Sequence, residues 1–178
     1  MTSLAALFKS VCKSLADLGC RHVAFLRSGS SLANEPNKRK AGFENGCLSR
    51  GLSYEMKILN DGDSFEEFEQ FLSEHLSEGR LDFDGIFCVT DRLACLTRDM
   101  LGRLQQRVPE DVQLIGFDGI RAFGNTVYHC STIVQPIPEM AEMCVDLLLR
   151  ESMLAKPPLV CLPVTYASGG TTCEPFLV

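Results

Sequence analysis

Two short apolar runs end on residues that can make directed polar contacts: "GIFCVTD", running to Thr90 and Asp91, and "VQLIGFDG", running to Asp118 and Gly119. A carboxylate at the end of a buried strand accepts hydrogen bonds from ligand hydroxyls or amides, or caps the turn that follows. Asp91 opens an apolar-periodic segment, so a helix N-cap is its expected role. No helix clearly starts behind Asp118, and both ligand contact and turn chemistry are open there. A phosphoacceptor aspartate would need an acidic pair after the first strand, and "RSGSS" at Arg27–Ser31 has none. The sequence contains no G-x-G-x-x-G, no P-loop lysine and no G-x-S-x-G elbow. His22, His75 and His129 each lack a neighbouring nucleophile, and the chain is expected not to be an enzyme.

The nine cysteines are odd in number and contain no C-x-x-C pair, so they are read as reduced core hydrophobes, with no metal and no cofactor expected. The net charge of −6 leaves no basic footprint for nucleic acid, and "NKRK" at Asn37–Lys40 is too short to supply one. Lys9 and Lys13 interrupt the N-terminal apolar stretch, which reads as an amphipathic helix rather than a signal peptide. A cytoplasmic location with no membrane partner is the expectation.

The elements that must hold these residues alternate. Leu4, Leu7, Phe8, Val11, Leu15 and Leu18 have helical spacing, with Gly19 as terminator. "RHVAFL" reads as a buried strand, followed by a polar loop and a helix from about Lys38 to Ser49, ended by Gly51. "YEMKIL" is a strand nearer an edge, and "NDGD" is a turn. "SFEE" at Ser64–Glu67 matches a capping box for a helix carrying Phe65, Phe68, Leu72 and Leu76 on one face. The strand "GIFCV", a helix to about Gln106 and the strand "VQLIGF" complete the series. The expected fold is α/β, a parallel open sheet with helices on both faces. "STIVQPIPEM" reads as an extended linker to a helix with an apolar stripe ending near Ser152, then "KPP" as a break and "LVCLPVTYASGGTT" as one or two short strands.

Several segments in the right order resemble the LacI/GalR family of bacterial transcriptional regulators. They are "LADLGCRHVAFLRS", "RKAGF", "FDGIFCVTDRLACLTRDMLGRLQQRVPEDVQLIGFDGI", "STIVQPIPEMAEMCVDLLL" and "LPVTYASGGTT". The resemblance implies one lobe of a periplasmic-binding-protein-like effector domain, in which a sugar or related metabolite sits between two lobes. It implies residues 1–134 as the C-terminal lobe, 135–161 as a crossover helix belonging to an N-terminal lobe not in this chain, and 162–178 as return strands. It assigns ligand contacts to Arg39, Thr90 and Asp118. It also implies a homodimer formed through the helix from Asp91 and the loop near Arg121–Tyr128, and operator DNA bound only through a segment absent here. The chain departs from the family at Thr90, where asparagine is usual, and at Gly119, where a second aspartate is frequent. It also lacks an aromatic at the "DGD" turn and an arginine before Gly170. The function expected is the effector-sensing and dimerisation part of a sugar- or metabolite-responsive bacterial transcriptional regulator. The alternative is a free-standing solute-binding or protein-interaction half-domain.

Overall fold

Apolar runs too short for helices and rich in β-branched and aromatic residues become the strands of one sheet. The computed structural model describes residues 4–28, 34–59, 64–120, 122–123, 126–127, 129–150 and 160–173; the side chains of 4–10, 34–39, 123, 126 and 150 are outside that description. The "NDGD" turn, the "KPP" break and parts of the loops at 29–33 and 121–128 therefore lie outside the described residues. In chain order the elements are α1 (Leu4–Asp17), β1 (His22–Ser28), α2 (Asn34–Leu48), β2 (Ser53–Leu59), α3 (Glu66–Glu74), β3 (Leu76–Ser77), β4 (Arg80–Leu81) and β5 (Gly85–Cys88). There follow α4 (Asp91–Arg103), β6 (Gln113–Asp118), β7 (Ala122–Phe123), β8 (Thr126–Val127), β9 (Ser131–Val134), α5 (Ile137–Arg150) and β10 (Thr165–Ala167).

The main sheet has the order β10-β9-β6-β5-β1-β2. Five strands run parallel, and β10 is antiparallel to β9 at one edge. This is a doubly wound order, in which the chain reverses its direction of progress between β1 and β5. Right-handed crossovers then put α2 on one face and α3 and α4 on the other. The packing of α1 on α2 and of α3 on α4 agrees.

The core is aromatic where α2 meets the sheet. Phe43 lies 5.0 Å from Phe25 and 5.9 Å from Phe87, ring centre to ring centre, and all three are fully buried. Helices α1 and α2 end alike. Cys20 N–H donates to Leu15 O and Gly19 N–H to Ala16 O, and Leu52 N–H and Gly51 N–H repeat the pattern on Cys47 and Leu48.

Four expectations require correction. Helix α2 begins at Asn34, earlier than Lys38, because Pro36 is tolerated in a first helical turn. The capping box is not formed. Ser64 Oγ accepts from Glu66 N–H, while the Glu67 carboxylate pairs with Lys57 of β2 at 2.8 Å. Leu76 is not on α3, which stops at Glu74. Glu78 (φ 50°) and Gly79 (φ 79°) instead close a two-residue hairpin joining β3 to β4. The "STIV" stretch is not a linker but strand β9, paired with β6 from Ile115↔Ser131 to Asp118↔Val134.

Helix α5 stands apart from this core. None of its described side chains is buried, and Leu148 and Leu149 are 70% and 77% exposed.

Candidate functional site

Strands β1, β5 and β6 all deliver their carboxyl ends to the same rim, and a half-open cavity of about 290 Å³ lies there. Its lining includes Ser28 at the end of β1, Thr90 just after β5, Asp118 at the end of β6, and Phe65, Arg92 and Ile120. The position is the one open α/β sheets provide for ligands, outside the strand ends and beside the reversal of strand order. Two of the three residues singled out in the sequence, Thr90 and Asp118, therefore share one cavity. Arg39 lies in α2, the helix that follows β1, and its side chain is outside the described residues.

Asp118 is held in an unusual backbone conformation. Its φ is 118°, a region other residues leave to glycine, and Gly119 follows at φ 83°. A Cβ on Gly119 would lie 2.8 Å from Val134 Cγ1, so the chain can turn here only without a side chain. Gln135 braces the same turn. Its Nε2 donates to Asp118 Oδ1 at 2.7 Å, and its backbone N–H donates to Asp118 O. One Asp118 oxygen is thereby oriented by the protein itself.

Asp91 corrects another expectation. Thr90 is the N-cap of α4, with its hydroxyl accepting from Leu93 N–H at 3.2 Å. The Asp91 carboxylate turns inward instead, where it is 1% exposed. Its Oδ2 accepts from Ile120 N–H at 2.6 Å and its Oδ1 accepts from the Thr132 hydroxyl at 2.5 Å. One side chain of α4 thus ties the loop after β6 to strand β9. Burial pushes its pKa above the ordinary carboxylate value, opposed by the hydrogen bonds from Thr132 and Ile120. Gly116 makes this approach possible, since a Cβ there would sit 2.3 Å from Asp91 Oδ1.

Phe65, 39% exposed, lies at the α3 N-terminus and offers an aromatic surface to the cavity. Its helical spacing marks it for the buried face of α3, and no sequence signal separates it from Phe68, which is fully buried. Gln135 carries no signal either, because a lone glutamine after an apolar run has no distinguishing pattern. Among the described residues no group of three or more His, Cys, Asp or Glu side chains is arranged to hold a metal ion. No helix among them is long and apolar enough to cross a membrane.

The cavity, with a carboxylate, a hydroxyl and an aromatic on its rim, lies where open α/β sheets hold small ligands. The chain belongs to the periplasmic binding protein-like domain family, whose model matches residues 12–172. Its relatives include sucrose and ribose operon repressors. It is 30% identical over 162 residues to a sucrose operon repressor of Streptococcus mutans, covering 88% of this chain and 48% of that protein. It is also similar to a solved LacI transcriptional regulator from a Rhodococcus species, with a TM-score of 0.75 and 26% identity over 95% of this chain and 62% of that one. A LacI-type protein from Alkaliphilus metalliredigens, solved with D-xylulofuranose, shares the fold with a TM-score of 0.73 and 23% identity, covering 97% of this chain and 64% of that one. The chain thus spans under half the length of the repressor and under two thirds of the solved proteins.

Proposed function

We propose that this chain is the effector-sensing part of a sugar- or metabolite-responsive bacterial transcriptional regulator, a binding protein rather than an enzyme. The observation that carries the reading is the cavity between the ends of β1, β5 and β6, with Thr90 and Asp118 on its rim. Asp118 would accept hydrogen bonds from ligand hydroxyls, and Thr90 would exchange one through its capping hydroxyl. Arg39 would supply a guanidinium fork, and Phe65 would meet the apolar face of a sugar ring. Residues 1–134 with 162–178 form one lobe in this reading, and 135–161 cross to a second lobe beyond these 178 residues. Dimerisation falls to α4 and the loop at 121–128, and operator binding to sequence outside the chain.

The test is capture of the native protein from its source cells with an antibody to this segment. Intact mass and operator binding are then measured with and without sucrose, D-ribose and D-fructose. A mass well above 19.7 kDa with sugar-dependent DNA retention is expected. A native mass of 19.7 kDa without DNA binding would contradict the reading.

A further inference from the structure

Two pairs of thiols sit in contact within the core. Cys12 Sγ and Cys47 Sγ are 3.6 Å apart, joining α1 to α2. Cys95 Sγ and Cys130 Sγ are also 3.6 Å apart, joining α4 to the residue before β9. All four are free thiols. A disulfide needs a sulfur separation of about 2.05 Å, so either pair must approach by roughly 1.5 Å to close. The pairs differ in access: Cys12 and Cys47 are fully buried, whereas Cys95 and Cys130 retain 9% and 3% exposure. Each pair has an arginine as a neighbouring positive charge, Arg50 for Cys12 and Arg98 for Cys95 and Cys130. Burial still pushes Cys95 up to about 12, so little thiolate is present near neutral pH and closure requires sustained oxidant.

We propose that Cys95 and Cys130 form an oxidisable dithiol, closed by hydrogen peroxide or an organic hydroperoxide, while the Cys12–Cys47 pair stays reduced. The Cys95 thiolate attacks the peroxide oxygen and becomes a sulfenic acid, releasing water or the alcohol once the leaving oxygen is protonated. The Cys130 thiolate then attacks that sulfur, the S–S bond forms and water leaves. Two thiols lose two electrons and two protons, and one peroxide is reduced.

The location gives the bond a consequence. Cys95 lies one helical turn beyond Asp91, and Cys130 lies two residues before Thr132, the partner of Asp91. Drawing α4 toward the start of β9 pulls on the carboxylate that also holds Ile120 N–H at the rim of the cavity.

The purified chain is treated with hydrogen peroxide, free thiols are alkylated, and the proteolysed chain is read by mass spectrometry without reduction. A peptide joining Cys95 to Cys130 is expected to accumulate at least tenfold faster than any joining Cys12 to Cys47, and to disappear with dithiothreitol. In Cys130→Ser, dimedone should trap the sulfenic acid at Cys95. Amide exchange at Ile120 should change at least threefold on oxidation in the native sequence and not in Cys95→Ser. Cys95 and Cys130 remaining alkylatable after the exposed Cys144 and Cys173 have been oxidised would overturn the proposal. So would equal closure of both pairs, a Cys95 bond to a second copy of the chain, or unchanged exchange at Ile120 in the closed form.

Discussion

Asp91 is the residue on which the cavity rim depends, although it touches the cavity only through others. Its two oxygens accept from different elements, and asparagine has only one acceptor oxygen to offer. Asp91→Asn is expected to leave Ile120 N–H or the Thr132 hydroxyl without its partner. Stability should fall by about 1–3 kcal/mol, read from urea unfolding. The pH dependence has a definite sign. The folded carboxyl titrates above the unfolded value of 3.8, so between these two the unfolded state has released a proton that the folded state keeps. Stability therefore falls as pH rises from 3.8 through that window. Asp91→Asn should remove this part of the slope, which comparison of urea midpoints between pH 4 and pH 7 measures. Gly116→Ala attacks the same contact from the strand side, with an added methyl 2.3 Å from Asp91 Oδ1. A loss of about 1–3 kcal/mol is expected in the same unfolding experiment. The strand end made Asp118 legible as a candidate. Its φ of 118° and its Gln135 brace were not, because neither leaves a pattern in neighbouring residues.

Among the elements, those whose burial is one-sided or complete were legible, and those defined by a few backbone bonds were not. Strands β1, β5 and β6 are continuous apolar runs and emerge where their composition puts them. Strand β9 was hidden because Pro136 and Pro138 just beyond it suggested a linker, whereas four residues sufficed to pair with β6. The capping box failed because α3 starts at Glu66, which makes Phe65 rather than Ser64 the N-cap, and Glu67 pairs with Lys57 of β2. Helices α2 and α5 make a testable contrast. Phe43→Ala removes a ring stacked on Phe87 and tilted against Phe25, and is expected to cost about 3–5 kcal/mol in thermal or urea unfolding. Leu149→Glu on α5 changes a side chain 77% exposed, so stability of this chain should move by no more than about 0.5 kcal/mol.

At the scale of the whole molecule, the sheet order decides where a ligand can sit. Reversal between β1 and β5 opens a crevice, and β6 sets Asp118 across it. Preformed small-molecule pockets enclose about 70–90% of a ligand, and a cavity walled by one lobe encloses far less. On the proposed reading, in which a second lobe closes the cavity, the chain alone is expected to bind a sugar at least about tenfold more weakly than the two-lobed protein, as calorimetry of the two would measure. The most direct test of the central claim is a nuclear magnetic resonance titration of this chain with sucrose, D-ribose and D-fructose, for the native sequence and for Asp118→Ala. The account predicts that one sugar shifts the amides of Thr90, Asp118 and Ile120 together, and that Asp118→Ala abolishes those shifts while the remaining spectrum is retained. Shifts that persist in Asp118→Ala, or that cluster away from the ends of β1, β5 and β6, would contradict it.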